Sequence, residues 1–163
     1  MTETDTNAEP LAFRSHDHAQ CQSQTADVVQ AACRSRGLRL TEIRRRVLDI
    51  LLEEHRAFGA YDVLARLSDA GHAAHPPVAY RALDFLVANG FAHKIERLNA
   101  FVACPTPDDG HRPAFLICRD CKIVAEAAVP PGDGALGAAA EQLGFQIESV
   151  SIEAEGLCPA CAA

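Results

Sequence analysis

The sequence has no uninterrupted stretch of about 18 apolar residues, which is the length that a membrane-spanning helix needs. Its N-terminus carries Glu3, Asp5 and Glu9 and lacks the apolar segment of a secretory signal peptide. It also lacks an extreme composition, because 48% of its 163 residues are hydrophobic and 23% are charged, which excludes collagen-like, fully disordered and coiled-coil chains. We therefore expect a soluble, cytoplasmic globular protein with one ordinary domain or two small ones.

The chain has no overall positive charge, since its formal net charge is −7. The charge is uneven, however: residues 25–103 carry eleven Lys and Arg against nine Asp and Glu, whereas residues 104–163 carry three against nine. Attraction to phosphate is screened within about 8–10 Å, so a local basic patch can bind nucleic acid on an acidic protein. Six arginines form a local patch of this kind, opposed only by Glu42: Arg34, Arg36, Arg39, Arg44, Arg45 and Arg46. The alternative explanation of these arginines is the solvated first turn of a helix without a nucleic-acid partner.

The order of the predicted elements is typical of a winged helix-turn-helix. Residues 1–24 are polar and aperiodic and are predicted to be a disordered tail. Four helices are predicted between residues 25 and 104, and their starts are marked by Thr25, Thr41, Ala60 and the pair Pro76-Pro77. Two short strands around the turn at 98–99 then form a hairpin, which would be the wing.

A second unit follows a linker rich in Pro, Asp and Gly, which we assign to residues 105–112. Within residues 113–163 the pattern predicts two short apolar strands, a helix over 134–143 and an alternating strand over 145–155. A unit of about 50 residues is rarely stable without a metal or a partner subunit. The predicted fold class is therefore α+β, with an N-terminal winged helix-turn-helix domain (25–104) followed by a small α/β domain (113–163).

Seven cysteines in a chain without a secretory signal favour metal or redox chemistry over disulfides. Two C-x-x-C motifs lie far apart, and such a pair can place four sulfurs around one tetrahedral zinc ion. A thioredoxin-like redox pair fits less well, because neither motif opens a helix after a strand. A zinc deaminase would need an H-x-E motif, which the sequence lacks, and a four-cysteine shell leaves no open position for a substrate. The sequence thus predicts a structural zinc site and no enzyme, with four ligands: Cys118, Cys121, Cys158 and Cys161.

Four further residues with side chains that can bind a metal lie between the hairpin and the second apolar strand. Taken singly, each has an ordinary explanation as a surface, core or solvated residue, so their spacing alone does not assign a site. They are His93, Cys104, His111 and Glu126. Cys33 lies on the apolar face of the first predicted helix and is expected to be a core residue.

Ordered motifs over residues 25–161 resemble one protein family. The segments that resemble the DNA-binding half of the ferric uptake regulator superfamily are Leu40–Leu48, Ala60–Leu64 and Pro76–Leu86. The segments that resemble specifically its zinc uptake regulator branch are Gly90–Glu96, Asn99–Cys104, Phe115–Cys121 and Ile152–Cys161.

The resemblance implies a homodimeric repressor of zinc uptake genes, whose winged helix reads an AT-rich palindromic operator in double-stranded DNA and whose C-terminal domain dimerises. It implies two zinc ions per subunit: a structural ion on the four cysteines, and a sensing ion on His93, Cys104, His111 and Glu126. Tyr80 and Arg81 match the base-contacting pair, and a Tyr ring on a thymine methyl with an Arg fork on guanine is physically reasonable. From the basic patch we expect Arg44 and Arg45 to contact phosphates.

The predicted sensing set, with one thiolate, two imidazoles and one carboxylate, suits a borderline-soft tetrahedral ion such as zinc. An iron, manganese or peroxide sensor of the same superfamily is the alternative within the class. A zinc-stapled interaction module without DNA binding is the alternative outside it.

The sequence departs from the family pattern in three places. Val78 replaces a Thr, Glu155 replaces a His, and the tail lies outside the match. Within the tail, His16, His18 and Cys21 are compatible with an auxiliary zinc site or with a disordered polar segment.

Overall fold

The computed structural model of the chain describes residues 10–72, 75–107, 113–128 and 134–163. Its N-terminal part contains a 3-10 turn at Leu11–Phe13, then α1 (His18–Ser35), α2 (Glu42–Leu51), β1 (Phe58–Gly59), α3 (Ala60–Asp69), α4 (Pro76–Ala88), β2 (Ala92–Ile95) and β3 (Ala100–Ala103). Its C-terminal part contains β4 (Pro113–Cys118), β5 (Val124–Ala128), α5 (Ala135–Gln142), β6 (Ile152–Gly156) and the one-turn α6 (Pro159–Ala162). This mixture and order confirm the predicted α+β class.

The boundaries of α2 and of α4, the helix that carries the predicted base-contacting residues Tyr80 and Arg81, follow local sequence signals. The Thr41 hydroxyl accepts a hydrogen bond from the amide of Arg44 at 3.4 Å and caps α2 as predicted. Prolines 76 and 77 form the first turn of α4, where a missing amide hydrogen costs nothing. That helix ends at Ala88 with Asn89 as its C-cap, and Gly90 follows with a φ of 74°, a conformation that glycine adopts without steric cost. The helix bounded in this way packs against α2 and α3.

Helix α1 begins seven residues before the predicted start at Thr25. Its cap is Asp17, whose carboxylate accepts from the amide of Gln20 at 3.2 Å, while Thr25 is buried inside the helix. Side chains of the extra turns of α1 contact backbone carbonyls at the C-terminal end of α2. Carbonyls at a helix end lack partners within the helix and can accept such hydrogen bonds. His18 Nε2 contacts the carbonyl of Glu53 at 2.8 Å, and the side chain of Gln22 donates to that of Leu52 at 2.7 Å. Residues 10–24 therefore have defined structure where a disordered tail was expected, and residues 1–9 lie outside the described ranges.

The first sheet has the strand order β1-β3-β2, with β2 and β3 paired as an antiparallel hairpin. Asn99 lies in the turn with a φ of 46°, which Asn tolerates better than most residues. This hairpin is the predicted wing.

The second sheet has the order β5-β4-β6, with β6 parallel to β4 and reached through α5. The predicted strand over 145–155 is shorter than expected, because the paired register begins at Ala114↔Ile152. Among the residues that the structure describes, no strand pairs with 145–151, and alternation alone does not make a strand without a partner.

Two apolar cores organise the described residues. The larger one joins α1 to α4 and includes Cys33, as expected. The smaller one lies between the wing and the second sheet and consists of Ile95, Val102, Phe115, Ile117 and Val124. In the described part of the chain, no helix has both the length and the apolar character needed to span a membrane.

Candidate metal centres and nucleic-acid surface

The two C-x-x-C motifs converge at one end of the second sheet. Cys118 ends β4, and the parallel pairing of β4 with β6 sets the second motif beside the first. The Sγ atoms of the four cysteines all lie within 4.8 Å of one another, and those of Cys121 and Cys158 are 3.7 Å apart. A tetrahedral ion with Zn–S bonds of about 2.3 Å separates its sulfurs by about 3.8 Å. The cluster therefore has the dimensions of a four-cysteine zinc site.

The backbone prepares this cluster for negative charge. Amide donors from Cys158 and Cys121 lower the pKa of the Cys118 thiol to about 6. Hydrogen bonding of its sulfur by Cys158 and Cys121 raises the pKa of Cys161 to about 12. Four neighbouring sulfurs cannot all ionise unless a cation offsets their mutual repulsion. The donor set thus fits zinc, which would be a structural ion with a closed shell.

A second cluster bridges the two parts of the chain. His93 lies on β2 of the wing, Cys104 follows β3, and Glu126 lies on β5 opposite Phe115. One ligand atom from each of the three lies within 4.8 Å of the others, and His93 Nε2 is 3.5 Å from Glu126 Oε2. The ring of His93 packs against Phe115 at 5.5 Å between centroids. The structure thus brings together three of the four predicted sensing residues, whereas His111 lies outside the described residues.

The second cluster is shielded from solvent. Cys104 is fully buried, and the side chains of His93 and Glu126 are only 18% and 10% exposed. Burial, together with the nearby carboxylate of Glu126, raises the pKa of the Cys104 thiol to about 12. A buried carboxylate beside a thiol and an imidazole is a set of ligands that a divalent cation stabilises.

The wing is also attached to the second sheet by hydrogen bonds that the sequence did not predict. The carboxylate of Glu153 on β6 accepts from the amides of Glu96 and Arg97 in the wing turn, at 2.7 and 2.9 Å. Arg97 also forms an ion pair with Glu155 at 3.2 Å. Glu155, which stands where the family pattern has His, therefore helps to attach the wing to the second sheet. The only sequence signal was the acidic alternation of Glu153 and Glu155 along the strand.

Helix α4 presents the predicted base-contacting residues to solvent. Its inner face buries Ala79, Ala82, Leu83 and Leu86, which leaves Tyr80 and Arg81 exposed on the outer face. An exposed Tyr-Arg pair on a helix braced by two others is the arrangement that a major-groove reader needs.

The two arginines predicted to contact phosphates form intramolecular contacts. Arg44 donates to the carbonyl of Arg39 at 2.6 Å, and its guanidinium lies 3.8 Å from the ring centroid of Phe85 on α4. Arg45 pairs with Asp49 at 2.9 Å within α2. Arg44 thus connects α2 to α4, and the phosphate contacts stay a prediction.

Comparisons with known proteins agree with this architecture. The zinc uptake regulation protein of Escherichia coli (strain K12) is 40% identical over 130 residues, which cover 79% of this chain and 76% of that protein. A comparison with models of protein families gives no match.

The chain also resembles solved structures. A zinc uptake regulator complexed with zinc and DNA superposes with a TM-score of 0.76 at 36% identity, covering 91% of this chain and 97% of the other. The holo form of XcZur gives 0.76 at 43% identity, covering 86% and 98%, whereas its apo form gives 0.51 at 39% identity, covering 88% and 99%. The chain therefore superposes better on the holo form of XcZur than on its apo form. With its fold, its clustered ligands and these similarities, the chain belongs to the zinc uptake regulator branch of the ferric uptake regulator family.

Proposed function

We propose that this protein is a zinc-responsive transcriptional repressor, which binds AT-rich palindromic operators of zinc uptake genes as a homodimer. The observation that carries the proposal is the second cluster, because His93 and Cys104 come from the wing while Glu126 comes from the second sheet. A cation bound by all three favours the arrangement in which the two parts are docked. Ligand-dependent choice between two arrangements is what a metal sensor requires.

Two zinc ions per subunit are part of this proposal. Cys118, Cys121, Cys158 and Cys161 would hold the structural ion. His93, Cys104 and Glu126, with His111 as the fourth ligand, would hold the regulatory ion. When bound, zinc supplies positive charge that neutralises the Cys104 thiolate and the Glu126 carboxylate in a buried position.

The domain assignment is part of the same proposal: a DNA-binding domain predicted over 25–104, which α1 extends back to His18, a hinge over 105–112, of which 108–112 lie outside the described residues, and a dimerisation domain over 113–163. Strand β6 is an edge strand of its sheet among the described residues, and exposed apolar side chains lie near it. Unpaired strand edges and exposed apolar patches favour association with another chain. The residues that we expect in the dimer interface are Leu136, Leu143, Phe145 and Ile152.

Zinc is favoured over iron and manganese by the thiolate of Cys104, because iron- and manganese-type sites rely on oxygen and imidazole ligands. The protein is proposed to act in the cytoplasm as a repressor and not as an enzyme, and a closed four-cysteine shell would leave no open position on the zinc for a substrate. DNA binding is favoured over an interaction module without DNA binding by two observations. Tyr80 and Arg81 are exposed on α4, and the chain is similar to a zinc uptake regulator complexed with zinc and DNA.

The experiment that tests the proposed function is an operator titration at buffered free zinc, iron and manganese. The affinity for operator DNA is expected to rise with zinc alone and to stay at the metal-free level with the other two ions. A response to iron or manganese at lower free concentration than zinc would favour the alternative sensor. Absence of operator binding with every metal would favour an interaction module.

Arg81 is expected to read a base. Arg81→Ala should weaken operator binding by about 1–3 kcal/mol and relax specificity at one base position, since an arginine forked onto guanine is lost. The measurement is a filter-binding or anisotropy titration on operator and on random DNA. Arg45→Ala is the matched control, which should weaken binding to both DNAs and flatten the salt dependence. Equal losses on operator and random DNA for Arg81→Ala would show that this arginine is not a base reader.

A further inference from the structure

A third cluster of metal-binding side chains lies outside both centres described above. His16 precedes α1, His18 and Cys21 lie in its first turns, and His55 follows α2. One ligand atom from each of the four lies within 4.8 Å of the others, and all four residues are partly buried. The helical extension of α1 creates this cluster, because it brings the tail against the end of α2.

Hydrogen bonds to the backbone orient two of the imidazoles. Nδ1 of His16 lies 2.9 Å from the carbonyl of Arg14, so it donates there and leaves the lone pair of Nε2 directed toward His55, whose Nε2 is 3.0 Å away. Nε2 of His18 contacts the carbonyl of Glu53 at 2.8 Å, so the lone pair of that ring is on Nδ1. This Nδ1 is buried and has no hydrogen-bond partner within residues 10–72, 75–107, 113–128 and 134–163. Ligand histidines in metal sites are oriented in this way, with one nitrogen on a carbonyl and the other on the ion.

We propose that His16, His18, Cys21 and His55 form a third metal site that binds Zn²⁺. Three imidazoles and one thiolate suit zinc and the neighbouring late transition metals, whereas the absence of a carboxylate from this cluster disfavours magnesium, calcium and manganese.

The position of the cluster gives the site a consequence for the whole molecule. The 3-10 turn at Leu11–Phe13 packs against β5, and the carbonyl of His55 accepts from the amide of Val124 at 2.8 Å. A cleft between the two parts of the chain is lined by His18, Cys21 and His55 as well as by Glu126. A bound ion would therefore fasten the N-terminal segment across the seam between the DNA-binding and dimerisation domains.

The test is the zinc content of the full-length protein at buffered free zinc, measured for wild type, His18→Gln and a control, His72→Gln. The control histidine follows α3 and belongs to none of the three clusters. Wild type and His72→Gln are expected to bind three zinc ions per subunit, and His18→Gln two. Gln can still donate to the carbonyl of Glu53, so the start of α1 is preserved. In hydrogen exchange, zinc should slow the amides of residues 11–22 in wild type but not in His18→Gln.

A second variant keeps the test decisive if His18→Gln is unstable. In a Cys104→Ser background, cobalt is added to protein whose four-cysteine site is filled with zinc, and the thiolate-to-cobalt absorption band is recorded. The band is expected with Cys21 present and is expected to disappear with Cys21→Ser. Two zinc ions in wild type, an unchanged count in His18→Gln, or a cobalt spectrum without a thiolate band would each overturn the proposal.

Discussion

Cys118→Ser is expected to cost the protein its structural zinc, to loosen the dimer and to lower the melting temperature even in excess zinc. Zinc binding in a small closed site contributes about 10–16 kcal/mol to folding, which exceeds the net stability of about 5–15 kcal/mol of an ordinary domain. Cys118 joins β4 to the cluster, so the loss of one ligand also releases the end of the central strand. Metal content, thermal unfolding and sedimentation measured on one sample give all three effects.

Cys33→Ala is the matched control for this experiment. Both cysteines are 2% exposed, but Cys33 lies in the helical core and belongs to none of the three clusters. The control should keep its zinc and its dimer, with only a small loss of stability from the missing sulfur. If Cys118→Ser keeps wild-type zinc and melts like Cys33→Ala, the four-cysteine cluster is not a structural metal site.

Cys104→Ser is expected to remove the zinc response while it leaves the fold, the structural zinc and the dimer intact. A serine hydroxyl does not ionise at neutral pH and is a poor zinc ligand, so the second cluster loses its thiolate. Allosteric coupling is typically about 1–3 kcal/mol. In the presence of zinc, the operator affinity of the variant should therefore be roughly 5- to 150-fold lower than that of wild type, which is the level of the metal-free protein.

The measurement is operator affinity with and without zinc, beside the metal content of the same samples. Cys33→Ser is the control, because it also buries a hydroxyl in place of a thiol, but away from the metal clusters. A wild-type zinc response in Cys104→Ser, or loss of the structural zinc in that variant, would reverse the assignment of structural and sensing roles.

Features of the sequence that act within a few residues predicted the fold well. The Thr41 cap, the prolines that open α4 and the wing turn at Asn99 are local signals, and each lies where it was expected. The two C-x-x-C motifs converge as predicted because the turn fixes each pair and the parallel strands bring the pairs together.

Features that depend on contacts between distant segments were missed. The start of α1 depends on carbonyls at the end of α2, and the start of β6 depends on where β4 begins. Glu153 holds the wing turn from more than fifty residues away. His55 was overlooked for the same reason, since no spacing rule connects it to the histidines of the tail.

Zinc at His93, Cys104 and Glu126 and operator DNA are proposed to favour the same domain arrangement. The most direct test measures the coupling from both sides, because linkage requires equal factors. Operator affinity is measured with and without zinc, and zinc affinity is measured with and without saturating operator. Both pairs of measurements are made on wild type and on Cys104→Ser, so that the coupling due to the second cluster is the difference between the two proteins. Operator DNA is expected to tighten zinc binding by the same factor, roughly 5- to 150-fold, by which zinc tightens DNA binding. Zinc affinity that is unchanged by operator DNA would contradict it.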